Sequence, residues 1–310
     1  MQVNRIAIIG ECMVELQKTG DATYKQSFGG DTLNTALYLS RLTHQHQLTT
    51  SYVTGLGKDS FSAAMLDAWK NESINTDLVH ISDKKLPGLY SISTTPDGER
   101  TFQYWRNDSA ARYWLLEKDT NAVIESLSQN QLIYLSGVSL AILPSEALDK
   151  LFMVLTACKE QGCKIAFDNN YRPALWESKE QAQQAYKTML ELTDIAFLTY
   201  DDEEMLYGDT AEQQAIDRTQ AFGVSEIVIK RGAEACFVIT KDARIEVAPK
   251  PVFGIVDTTA AGDSFSAGYL AKRLLGGTLE ESAKMGHTLA GTVICFPGAI
   301  IPSDKMPALN

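Results

Sequence analysis

No apolar run in this 310-residue chain approaches the roughly 20 residues needed to cross a bilayer, which excludes a transmembrane helix. A cleavable leader is not expected either. Met1–Arg5 and the run Ile6-Ala7-Ile8-Ile9-Gly10 are too short for one and read as a first buried strand. A cytoplasmic protein with no membrane partner is therefore expected. Basic charge is scarce: 28 Lys and Arg stand against 39 Asp and Glu, for a net charge of −11, and no Lys/Arg cluster occurs. That argues against a nucleic-acid partner, which calls for a basic face. An acidic surface repels anionic ligands at long range. Any anion site must then be built locally, from helix N-termini, backbone amides and a few placed cations. Cysteine is sparse and odd in number: Cys12, Cys158, Cys163, Cys236 and Cys295 suit neither a disulfide framework nor a zinc site, and only four histidines could help. Linkers, low-complexity tracts and internal repeats are also missing, so residues 1–310 read as a single domain.

What is present is an alternation. Short runs rich in β-branched residues, at Arg5–Ile9, Ser51–Thr54, Leu132–Leu135, Lys164–Asp168, Ile195–Leu198, Glu226–Lys230 and Cys236–Thr240, are separated by helical stretches. The helices include Asp31–Leu42, Ser60–Glu72, Pro144–Gln161 and Lys179–Leu192. Such βαβ units predict an α/β fold: a doubly wound, mostly parallel sheet with helices on both faces. Two segments break the rhythm, at about 11–28 and 88–106. In the second, Leu89–Thr94 alternates, turns at Pro96-Asp97-Gly98 and returns through Thr101–Trp105, which predicts an antiparallel hairpin. The two segments read as a small β-lid over the main sheet.

The strongest local signal is Asp257-Thr258-Thr259-Ala260-Ala261-Gly262-Asp263-Ser264-Phe265, fed by a strand-like run Val252–Val256 and followed by a helix that Gly276-Gly277 stops. Small residues at a strand-to-helix turn aim free amides and the positive helix end at one spot. That is an anion hole suited to a phosphoryl group in transfer. Asp263 at its mouth can take the proton of an attacking hydroxyl, or it can serve as a plain N-cap. A second Gly-Gly pair opens a helix at Phe28-Gly29-Gly30-Asp31-Thr32-Leu33-Asn34, where a ligand can approach the backbone closely.

Together these stretches resemble the two signatures of the ribokinase-like (PfkB) carbohydrate kinase family, over essentially the whole chain. The C-terminal one departs from the family pattern only at Ala260, where a glycine is usual; alanine there is strained if the position needs positive φ. The resemblance implies an ATP- and Mg²⁺-dependent sugar kinase. It makes Asp263 the base and Ala260, Ala261 and Gly262 the anion hole, and it gives Gly30, Asp31 and Asn34 the sugar hydroxyls. It also implies nucleotide contacts from Asn170, Thr199, Lys230, Gly232, Ala233 and His287. An indirect Mg²⁺ role falls to Asp202 or Glu203, which could equally be a solvated helix start. His287 could equally be structural. Lids in this family often pair between subunits, so a homo-oligomer is one expectation.

Tyr90, Tyr104, Arg106 and Arg172 bear on the acceptor. Two arginines converging from lid and sheet suit a carboxylate, whereas neutral sugars need none. Alternatively, Arg106 sits in a surface ion pair and Arg172 on the ATP phosphates. The stretches 10–16, 29–35, 104–107 and 167–173 resemble the branch of the family that phosphorylates the 6-hydroxyl of 2-keto-3-deoxy-D-gluconate. The alternative is a fructokinase- or ribokinase-type enzyme for a neutral sugar.

Overall fold

A computed structural model describes residues 4–94 and 100–309. An eight-stranded sheet forms its centre, in the order Arg244–Val247, Cys236–Thr240, Glu226–Lys230, Ile195–Thr199, Lys164–Asp168, Leu132–Ser136, Arg5–Ile9 and Thr49–Val53. The last six are parallel and the first two join as an antiparallel edge. Leu132–Ser136 and Glu226–Lys230 are buried at every position, as strands covered on both faces must be.

Helices Asp31–Thr43, Ala261–Leu274 and Leu279–Val293 cover one face and share a core with Ile6, Ile8 and Phe197. On the other face, Ser145–Glu160 and Lys179–Leu192 pack Leu151, Leu155 and Tyr186 against Phe167 and Ile229. Each such fully buried side chain contributes about 1.5–3 kcal/mol relative to exposure. Caps fix the helix starts: Ser178 accepts from Gln181 N–H, and Thr278 with Glu281 forms a reciprocal capping box. Among the described residues no helix is long and apolar enough to cross a membrane.

The strand order reverses between Arg5–Ile9 and Leu132–Ser136. In open α/β sheets, ligands bind beyond the carboxyl ends of the strands at such a reversal. Above that crevice lies a second sheet of four strands, ordered Tyr24–Gly29, Met13–Lys18, Leu89–Thr94 and Arg100–Trp105. Its strands come from the two segments that break the βαβ rhythm. Leu89–Thr94 and Arg100–Trp105 pair antiparallel, while their turn at Pro96-Asp97-Gly98 lies outside the described residues.

One expectation needs correction. Val252–Val256 is not a strand; Phe253, Ile255 and Val256 are exposed, and only the amides of Val256 and Asp257 are tied, both to the Ile294 carbonyl. The strand is instead Arg244–Val247, which completes the antiparallel edge. With one face solvated, it carries charge at every second position and lacks the apolar run that marks a buried strand.

Candidate active site

Sheet and lid enclose a cleft of about 920 Å³. Its floor begins with helix Ala261–Leu274, whose N-cap Ala260 has φ 61° and ψ 15°. This is the left-handed region, which costs a residue with a Cβ about 1–2 kcal/mol. Ala260→Gly relieves that strain but adds unfolded-chain entropy of about 0.4–1 kcal/mol. The variant should therefore keep its thermal midpoint or gain roughly 2 °C, and a drop of several degrees would contradict the strain.

Asp263 lies inside the first helical turn, so it is not the N-cap. Its Oδ2 accepts from Asn34 Nδ2 at 2.9 Å, and its carbonyl accepts from Thr35 Oγ1 at 3.3 Å. The two signature helices thus meet at Asp263. Desolvation in the cleft floor, then the charge of Asp31, pushes the Asp263 pKa up to about 8, while Asn34 and Lys230 work the other way. The expected anion hole needs one revision. Ala261 N–H is used up on the Thr258 carbonyl at 3.2 Å, which leaves the next two amides, Gly262 and Asp263, without a backbone acceptor among the described residues.

Gly30 brings the other signature close to the first strand. A Cβ on Gly30 would lie 2.2 Å from the Glu11 carbonyl oxygen, so only glycine fits. Asp31 accepts from Asn170 Nδ2 at 2.6 Å, and Asn170 itself sits at φ 32°. That strained backbone is held by Asn169, whose Oδ1 accepts from the amides of Asn170 and Thr199. Lys230 Nζ donates to both oxygens of Asp168, at 3.0 and 2.7 Å, and Ser266 Oγ donates to the same carboxylate. Asp168 and Asn169 are contributors the sequence reading did not single out. An acid ending the buried, otherwise apolar run Ile165–Asp168 was the available signal.

Of the residues expected on the nucleotide side, Asn170, Thr199, Lys230, Gly232 and His287 line the cleft, and Ala233 does not. His287 bonds the Val247 carbonyl through Nε2 at 2.9 Å and packs edge-on against Phe265. Asp202 lines the cleft, accepts from Tyr171 N–H, and has its pKa pushed up to about 6, chiefly by burial. Glu203 does not line it. Its carboxylate is committed to Arg218 and Asn169, at 2.6 and 2.9 Å.

On the lid side, Arg106 forms no surface ion pair. It is buried against the equally buried Glu11, which Ser109 Oγ also holds. The arginine lines the cleft, and among the described residues its Nε has no hydrogen-bond partner. Tyr90 donates its hydroxyl proton to Glu15 and stacks on Tyr104 with ring centroids 5.7 Å apart. Arg172 is about half exposed, 3.5 Å from Asp202.

The model of the pfkB family carbohydrate kinases matches residues 3–306. The chain belongs to that family. Among its relatives, the 2-dehydro-3-deoxygluconokinase of Dickeya dadantii is 55% identical, covering 99% of this chain and 100% of that protein. The Escherichia coli K12 protein of the same name is 52% identical over 98% and 99%. A structure of fructokinase with bound ATP from Xylella fastidiosa superposes with a TM-score of 0.84 at 19% identity, covering 100% and 96%. At that identity the likeness is one of fold. As a pfkB kinase, the chain places its two signature helices at one cleft floor.

Proposed function

We propose that this pfkB kinase transfers the γ-phosphoryl group of ATP to the 6-hydroxyl of 2-keto-3-deoxy-D-gluconate, which is another name for 2-dehydro-3-deoxygluconate. The observation that carries the reading is Asp263, lying in the cleft floor at a helix N-terminus, in a chain that aligns end to end with relatives named for that substrate.

In this reading, Asp263 accepts the hydroxyl proton as the O6–phosphorus bond forms and the bond from phosphorus to the β,γ-bridging oxygen breaks. The electron pair leaves with ADP, and the proton then passes from Asp263 to solvent. The amides of Gly262 and Asp263 stabilise charge on the transferring group. Gly30, Asp31 and Asn34 hold the sugar, while Arg106, Arg172 and Tyr104 serve its carboxylate end. Tyr90, whose proton Glu15 takes, is left as an acceptor for a sugar hydroxyl. Mg²⁺ suits this site as a companion of the nucleotide. No three His, Cys, Asp or Glu side chains among the described residues converge to hold an ion. Asp202 is the carboxylate that would reach the ion through water, and the bound ion would offset phosphate charge.

An ADP-release assay comparing 2-keto-3-deoxygluconate, fructose, ribose and adenosine tests the reading. Turnover on the keto acid is expected to exceed the others by orders of magnitude. Preferential turnover of fructose or ribose would keep Asp263 as base and discard the carboxylate roles.

A further inference from the structure

The inner face of the lid is ordered in rows. Register places Ser27, Glu15, Tyr90 and Tyr104 side by side, and the next row outward holds Lys25, Gln17, Ile92 and Phe102. All eight line the cleft, as the two-residue period of a strand requires for one face. The inner row is internally satisfied at its polar end, where Glu15 accepts from both Ser27 and Tyr90. The outer row ends in a cation.

The cleft's other long cationic side chains already have acids. Arg106 is tied to Glu11, Lys230 to Asp168, and Arg231 to Glu212 and Glu246, while Arg172 lies beside Asp202. Lys25 is exposed, and among the described residues no acid pairs with it. In a protein of net charge −11, an uncompensated ammonium on a cleft wall is the group most available to an incoming anion. Its flexible four-carbon stem lets the charge turn back along its own strand toward Ser27 and inward over the cleft.

We propose that Lys25 is a specificity-determining residue, which grips the substrate carboxylate from the lid at the end of the sugar chain remote from Asp263. This rests on the reading of the acceptor as a sugar acid. Arg106, screened by Glu11, then acts mainly as a fixed hydrogen-bond donor, and Lys25 supplies the net positive charge. The lysine thereby separates a sugar acid from the same chain ending in an alcohol.

The test compares wild type, Lys25→Met and Lys25→Arg on 2-keto-3-deoxygluconate and on 3-deoxyfructose, its counterpart with an alcohol in place of the carboxylate. Lys25→Met should raise the keto-acid KM about tenfold, as loss of a charge-assisted hydrogen bond does. The ATP KM and kcat/KM for 3-deoxyfructose should stay within about twofold, and Lys25→Arg should recover most of the keto-acid affinity. The rise of keto-acid KM with salt should be shallower in Lys25→Met than in wild type. An unchanged keto-acid KM in Lys25→Met, or an equal loss on both sugars, overturns the role of Lys25 and leaves the substrate reading standing. A wild type that turns over no keto acid overturns the substrate reading, and the role of Lys25 with it.

Discussion

Asp263→Asn is expected to lower kcat by on the order of 10² or more while changing either KM only a few-fold. Asparagine fills the same space and keeps an oxygen for the Asn34 donor, but it cannot take a proton. Near-wild-type turnover would remove Asp263 from its role. The raised pKa adds two signatures. The base works ionised, so wild-type kcat/KM should fall as pH drops below about 8, an acid limb far above the ordinary carboxylate range and absent from the residual activity of the variant. Stability should move the other way. A carboxyl whose pKa is higher folded than unfolded contributes most stability below its unfolded value, and that contribution is lost as pH rises through the folded one. Asp263→Asn should therefore melt above wild type at pH 8, with the gap closing toward pH 4. A gap that does not depend on pH would show that the carboxylate is not strained in the folded cleft.

Arg106→Met should cost about 3–5 kcal/mol of stability, because it leaves the carboxylate of Glu11 buried without its counter-charge. At about 2–4 °C per kcal/mol, the thermal midpoint should fall by roughly 6–20 °C. Replacing both partners, as Glu11→Gln with Arg106→Met, should recover most of that loss, since the penalty lies in the orphaned charge more than in the missing attraction. The double variant should still show a raised keto-acid KM, because the free Nε of Arg106 and its remaining donors are gone from the cleft wall. A single variant melting within about 1 °C of wild type would show that Glu11 finds water or another donor.

The sequence made the parallel core readable because burial on both faces forces unbroken apolar runs. Arg5–Ile9, Lys164–Asp168 and Glu226–Lys230 fall at the expected residues. The edge strand Arg244–Val247 escaped because one solvated face dilutes its apolar pattern, while the loop Val252–Val256 imitated a strand by exposing its apolar side chains. In the cleft, Asp263, Asn34 and Gly30 were legible because each belongs to a short contiguous motif. The partners were not, since only tertiary folding brings them together: Glu11 meets Arg106 across 95 positions, and Asp168 meets Lys230 across 62. Lys25 gave no signal in sequence, where a lone exposed lysine looks like any other. Its meaning comes from the strand register and from the acids that occupy the neighbouring cations.

Glu11 lies two residues after the first core strand and leads into the lid, and Arg106 directly follows the last lid strand. Their buried contact therefore pins the way into the lid to the way out of it, at its root. A plate riveted along one edge tilts without folding, and its displacement grows with distance from the rivet. Any tilt about that root would move Lys25, in the row further out, more than Arg106. Recognition by the lid would then come in two beats: a stationary donor that sorts the ligand on arrival, and a travelling charge that latches it once the plate comes down.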